Sequence, residues 1–284
     1  MILRVSPLRF EFRALDPLRF PPGKAANVFR GAFGEIFRRV ASVSAYARMF
    51  EPRSERSVTG IGPSGFADLP RPFVLRAASL DGRLFGEGDC FTLDVNVFDP
   101  EIPALDYFRL AFEQLSVEGL GPGRPRVELL GAVALPEVAV DLTARNEPVV
   151  KLKVTFLTPT QLKIDGEVLR EPHFDALFKR ARDRVTGLIT LYQRSDGSSL
   201  PDFRGMGTRA EAIRMTSGRF RQIERERRSS RTGQVHSLGG FTGEAEYEGD
   251  LAEFLPWLEA AWWTGVGRLT VLGNGMVRVE ATDV

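Results

Sequence analysis

The sequence predicts an α+β protein made of two consecutive β-α-β-β-α-β units, the split β-α-β order of tandem ferredoxin-like domains. Three observations predict it. An alternating apolar strand opens each half, an amphipathic helix follows it, and the same order of elements runs twice along the 284 residues. A chain of this length holds two domains of ordinary size, and 43% hydrophobic residues can fill two cores without covalent staples.

In the first unit Leu8, Phe10 and Phe12 alternate with Arg9, Glu11 and Arg13, the period of a strand with one buried face. Residues 24 to 40 set Val28, Ala32, Ile36 and Val40 on one side and Phe29, Phe33 and Phe37 beside it, an amphipathic helix. Residues 51 to 72, rich in proline and glycine, are expected to form a loop. Strands at 73–77 and 90–98, a helix at 102–115, the turn GLGPGRP and the strand RVELLGAVAL complete the unit. The boundary is expected near 136–148, giving domains 1–140 and 141–284.

The second unit opens with VVKLKVTFL, and Phe174, Leu177, Ala181, Val185, Leu188 and Tyr192 make a helical stripe over 173–193. Strand-like stretches follow at 217–227 and 234–247. GDLAEFLPWLEAAWW reads as a helix in which Pro256 either kinks the axis or opens the second part. RLTVLGNGMVRVE closes the chain as a strand or hairpin.

Composition narrows the chemistry. The single Cys90 excludes an internal disulfide, and two distant histidines without a cysteine cluster exclude a zinc-type ligand set, so no cofactor or metal is expected, although a carboxylate magnesium or manganese site stays open. The amino terminus alternates charged and apolar residues, unlike a signal peptide, and no apolar run reaches membrane-span length; the cytoplasm is the expected location.

Net charge is only +1, but its distribution is uneven. Nine arginines and three glutamates between Arg204 and Arg231 give a local +6 (9 − 3), leaving −5 (29 − 34) for the remainder. Arginine's planar fork suits phosphate oxygens and stacks on bases. A hairpin through SGRFRQIERERRSSRTG would present Arg219, Arg221, Arg225, Arg227, Arg228 and Arg231 to an RNA stem, or would simply be a solvated charged face. A glycine cluster follows the second helix of each unit: Gly119, Gly121 and Gly123, then Gly265, Gly267, Gly273 and Gly275. Such glycines either let backbone amides approach a phosphate or serve as a helix stop at Gly265 and a turn at Asn274-Gly275.

The pattern GVGRLTVLGNGMVRV resembles the carboxy-terminal glycine-rich signature of the RAMP superfamily, specifically the Cas-six type CRISPR repeat endoribonucleases. FRGAFGEIFRRV is similar to that family's first helix, YARMFEPR to its F-E-P turn, RPFVLRA to the following strand, GLGPGRPRVEL to its first glycine loop, VTFLTPTQLK to the strand opening the second domain, and LGGFTGEAEYEGDLAEFLPWL to the stretch leading to its last helix. The likeness runs in order over about residues 8–280.

The resemblance implies RRM-like domains and cleavage of precursor CRISPR RNA within its repeat without metal. The ribose 2′-OH attacks the adjacent phosphate and leaves a 2′,3′-cyclic phosphate. It implies repeat RNA as partner, with Arg268 and the glycines Gly265, Gly267, Gly273 and Gly275 among the contacts. Other CRISPR-associated subunits and a second copy of this chain stay open as partners. Many members carry a histidine at or after the first helix; residues 24–56 here contain none. Lys24, Arg38 and Tyr46 are therefore the catalytic candidates in that region, beside Arg30 and Arg39. His236, next to the basic segment, is a fourth candidate or an ordinary strand residue. His173 beside Pro172 points at most to helix capping. A RAMP subunit that binds RNA without cutting it is the alternative.

Overall fold

The computed structural model describes residues 1–52, 69–121, 123–164, 167–193, 202–224, 226–228, 235–237 and 239–281. In chain order the first unit contains β1 (Ile2–Ala14), β2 (Leu18–Arg19), α1 (Ala25–Val40), α2 (Val43–Phe50), β3 (Phe73–Arg76), β4 (Leu84–Phe85), β5 (Cys90–Val97), α3 (Ala104–Glu118), β6 (Val127–Ala134) and β7 (Val138–Asp141). The second contains β8 (Lys151–Thr160), β9 (Lys163–Ile164), β10 (Glu167–Val168), α4 (Phe174–Tyr192), α5 (Phe203–Ala210), β11 (Arg214–Ile223), β12 (Glu226–Arg228), β13 (Val235–Ser237), β14 (Gly240–Glu248), α6 (Leu255–Thr264) and β15 (Val277–Ala281).

Both main sheets are antiparallel, with orders β3-β5-β1-β6 and β11-β14-β8-β15. With the four strands of each unit numbered in chain order, both read 2-3-1-4, so the element order seen in the sequence is a duplicated ferredoxin-like topology.

Each sheet buries one face under two helices. Along β1 the residues Leu8, Phe10 and Phe12 point inward and meet Phe29, Phe33 and Phe37, which recur every fourth residue on α1 and are fully buried. Phe33 lies 4.9 Å from Phe112 and 4.8 Å from Phe108, ring centre to ring centre. Arg38 and Arg39 occupy the last turn of α1, where cations favour the negative end of the helix dipole. The second core gathers Leu152, Val154 and Phe156 of β8 with the predicted α4 stripe and with Trp257, Leu258 and Ala261 of α6.

The cores do not divide along the sequence. Leu3 and Val5, where β1 pairs with β7, pack with the second core, whereas Val271 packs with the first.

Several elements depart from expectation. The chain leaves α1 through extended Ala41, and Ser42 Oγ accepts the Ala45 amide at 3.1 Å, starting α2 where only a turn was expected. The helix expected at 102–115 runs from Ala104 to Glu118. The strand expected at 217–227 begins at Arg214 and stops at Ile223, and the stretch expected at 234–247 divides into β13 and β14. Pro256 sits in the first turn of α6, where its missing N–H costs nothing, so it opens the helix and does not kink it. The closing segment is not a hairpin: Thr270–Leu272 is a 3-10 turn, and only Val277–Ala281 is a strand, paired to β8. Most of the loop expected at 51–72 lies outside the described residues.

Candidate nucleic-acid interface

β11 is an edge strand whose outward row carries Arg219 and Arg221 of the basic cluster. Arg219 is opposite Glu244 and Arg221 is opposite Thr242, both arginines exposed. Glu244 is engaged elsewhere: the Lys153 ammonium, 2.7 Å away, bonds its carboxylate and holds it below the usual carboxylate range. Lys151 pairs with Glu248 at 3.1 Å. Among the described residues no carboxylate forms an ion pair with Arg219 or Arg221. On the outer face of the first sheet the pattern reverses, with Arg9 paired to Asp94 at 2.8 Å and Arg13 to Glu128 at 3.2 Å.

Beyond β11, β12 and β13 pair with Arg227 opposite His236 and Arg228 opposite Val235. The backbone thus brings His236 beside the basic cluster. Arg225 and Arg231 lie outside the described residues.

The glycine segment 265–275 is clasped by its own chain. The Gly265 amide closes α6 on the Ala261 carbonyl (2.9 Å), the Gly273 amide bonds the Thr270 carbonyl (2.9 Å), and the Gly275 amide bonds the Pro159 carbonyl (3.1 Å). These three donors are spent inside the fold; Gly273 and Gly275 shape an approach to β8 and β3. A Cβ on Gly273, at φ +72°, would meet the Leu75 carbonyl oxygen at 2.6 Å, so only glycine lets the loop lie on the first unit. Thr158 Oγ1 donates to the Gly273 carbonyl (2.8 Å) and accepts the Met276 amide (2.9 Å). Arg268, whose amide bonds the Gln161 carbonyl at 3.1 Å, leaves its side chain exposed.

In the first unit the catalytic candidates separate into two places. Lys24 is the N-cap of α1, whereas Arg38 is in its last turn; fourteen residues at about 1.5 Å each put them roughly 21 Å apart, too far to serve one phosphate. Arg38 and Tyr46 come together across the α1-α2 corner, with the guanidinium 5.8 Å from the ring centre and Tyr46 stacked on Phe50 at 5.2 Å. Arg39 is paired with Glu118 at 2.5 Å. His173 is the N-cap of α4 and its side chain makes no capping bond.

Sequence reasoning missed the residues that join the units. Arg76 of β3 donates to the Trp262 carbonyl at 2.5 Å and lies 4.5 Å from the Trp262 ring centre; burial pushes its guanidinium down to about 10. Asn96 donates to the Trp263 carbonyl at 2.9 Å. Arg184 of α4, fully enclosed and pushed down to about 9 by desolvation, donates to the Thr264 carbonyl at 2.7 Å, capping α6 immediately before the glycine segment. Tyr192 Oη donates to the Pro70 carbonyl at 2.8 Å, and Arg48 binds the buried Asp99 carboxylate while lying 5.7 Å from the Tyr192 ring. An arginine in an alternating strand and a Trp-Trp pair ending a helix were the only signals available.

Among the described residues no group of three or more histidine, cysteine, aspartate or glutamate side chains is arranged to hold a metal ion, and no helix is long and apolar enough to cross a membrane.

Comparison with known proteins completes the picture. No curated protein matches the sequence. The family model AF_1859_N, described as an N-terminal domain, matches residues 3–151, and that of CRISPR-associated endoribonuclease Cas6 matches residues 154–277. Among solved structures, a Thermus thermophilus Cas6 product complex aligns with TM-score 0.62 at 18% identity, covering 97% of this chain and 100% of that chain. A second Cas6 product complex aligns with TM-score 0.58 at 18% identity over 99% of this chain and 100% of that chain. A partial Cas6-RT-Cas1–Cas2 complex gives TM-score 0.58 at 12% identity over 98% of this chain and 46% of that chain. At these identities the structures establish the shared fold, and the Cas6 endoribonuclease family model over residues 154–277, together with that fold, marks the chain as a Cas6-type CRISPR repeat endoribonuclease.

Proposed function

We propose that this Cas6-family endoribonuclease binds CRISPR precursor RNA across its two units, 1–140 and 141–284, and cuts it within the repeat by 2′-OH attack without a metal ion. What most supports the reading is the family match over residues 154–277, which takes in the arginine strand β11 and the clasped glycine segment. In this chemistry the substrate supplies the nucleophile, and the protein must move protons and stabilise a phosphorane that carries added negative charge. Arg38 beside Tyr46 offers a cation and a phenol at one exposed corner, and His236 offers the imidazole that residues 24–56 lack. Lys24, at the far end of α1, stands too far from Arg38 and Tyr46 to share in this scheme's proton transfers.

The test is incubation with end-labelled repeat RNA in EDTA. A 2′,3′-cyclic phosphate product, abolished by 2′-deoxyribose at the cut position, is the expected result; EDTA-sensitive cleavage would refute metal independence. The missing first-helix histidine favours a second reading, an RNA-binding subunit with little or no cutting activity. Tight binding with intact RNA under the same conditions would select it. His236→Ala and Tyr46→Phe should depress cleavage far more than binding; equal losses in both would remove these residues from the proton transfers.

A further inference from the structure

The outer face of the second sheet sorts its charges in a way the catalytic reading does not require. Register fixes one row across all four strands: Arg219 on β11 is opposite Glu244 on β14, Glu244 opposite Thr155 on β8, and Thr155 opposite Arg278 on β15. Three strand spacings separate its ends, about 14 Å. Within this row Lys153 binds Glu244 and beside it Lys151 binds Glu248, while Glu246 and Glu280 on the same face form no ion pair among the described residues. The arginines at the two ends are left over. Arg278 is exposed, and among the described residues no carboxylate forms an ion pair with it.

The Arg278 end has a further feature. Its guanidinium lies 5.8 Å from the ring centre of Trp262, a half-buried indole at the carboxy-terminal end of α6. Arg76, from the first unit, fixes that indole twice, through the Trp262 carbonyl and over the ring at 4.5 Å. Trp262 is thus a pre-positioned platform at the junction of the units. Trp257, on the same helix, is 3% exposed and belongs to the core. A planar cation resting on a fixed aromatic ring presents donors to a phosphate and a flat face to a base, while losing little side-chain freedom on binding.

The geometry points to a single-stranded RNA path over this sheet face, running from Arg219 and Arg221 to a terminal station at Arg278 and Trp262. The inference rests on the RNA-binding reading above and deepens it, because it names a second contact surface away from the Arg38-Tyr46 corner. Unpaired guanidinium groups at both ends of the row, with Glu244 between them already held by Lys153, match a polyanion whose successive phosphates span the sheet. The aromatic platform favours a strand with splayed bases over a paired stem.

The experiment titrates the full-length protein with fluorescein-labelled dodecauridylate and, separately, with repeat RNA. Arg278→Ala is expected to weaken dodecauridylate binding by about tenfold or more and to lower the salt slope by about 0.7, one phosphate's share for single strands. Arg278→Lys should keep the slope but recover only part of the affinity, because the charge returns without the plane. Trp262→Phe leaves the Arg76 carbonyl bond intact and should abolish most of the tryptophan quenching that RNA causes in the unaltered protein.

Unchanged affinity and slope in Arg278→Ala, with quenching persisting in Trp262→Phe, would overturn the inference while repeat-RNA binding stood. Dodecaglutamate displacing the RNA at equal concentration would overturn it too, since the face would then be reading charge alone. Failure of the unaltered protein to bind repeat RNA would overturn the function proposed above and this surface with it.

Discussion

Replacing Arg48 with methionine tests how the buried Asp99 carboxylate is held beside the junction of the two units. The Arg48 guanidinium binds Asp99, whose side chain is 0% exposed, while Arg48 itself is 35% exposed and also reaches Glu101 at 3.0 Å. Without Arg48 the Asp99 carboxylate keeps, among the described residues, only the Glu101 amide at 3.1 Å. Removing one partner of a fully buried pair costs about 3–5 kcal/mol, and the partial exposure of Arg48 lowers this to about 2–3 kcal/mol. At about 2–4 °C per kcal/mol for chains near this size, Arg48→Met should melt about 4–12 °C below the unaltered protein. Adding Asp99→Leu removes the stranded carboxylate, so the double variant should regain most of the loss. Calorimetric melting of the three proteins is the assay. A single variant that melts with the unaltered protein, or a double variant no better than the single, would refute the assignment of Asp99 as a buried charge dependent on Arg48.

Other expectations are equally direct. Arg219→Ala with Arg221→Ala should lower the salt slope of repeat-RNA binding by about 1.4, two single-strand phosphates at about 0.7 each, and an unchanged slope would detach β11 from the RNA. Phe33→Ala should cost about 3–5 kcal/mol in urea unfolding, because its ring is fully buried against Phe108 and Phe112. Gly273→Ala forces a Cβ onto the Leu75 carbonyl at positive φ and should destabilise by about 1–3 kcal/mol, whereas Gly88→Ala, with open space around it, should show only the smaller cost of its own positive φ.

The Asp16 carboxyl is held at about 2 by the side-chain hydrogen bond and then the backbone amide of Arg126. A carboxyl depressed by folding stabilises the protein above its unfolded value near 3.8, and that contribution fades as pH falls toward 2. Arg126→Ala should move the Asp16 titration, followed by NMR, upward toward the ordinary value and flatten acid unfolding between those limits.

Local periodicity determined a great deal by itself. The spacing of Phe29, Phe33 and Phe37 set the face of α1, alternation set the inward row of β1, and the repeated element order set a duplicated sheet-and-helix topology. The arginine cluster was legible because charge density along a chain needs no partner to be seen. Alternation could not say where β11 stops, since both of its faces carry polar residues, and it could not distinguish RLTVL from a strand, since the positive backbone angles at Gly265, Gly267, Gly273 and Gly275 bend that segment around β8.

Only the tertiary structure decided which groups meet. Arg76 reaches Trp262 across 186 residues, Tyr192 reaches Pro70 across 122, and Lys153 rather than Arg219 pairs with Glu244. Lys24 and Arg38 share a helix yet stand at its opposite ends. The physical reason is that a side chain's burial is written in its neighbours' spacing along the chain, whereas its partner depends on sheet register and on the packing of two cores, which no local pattern records.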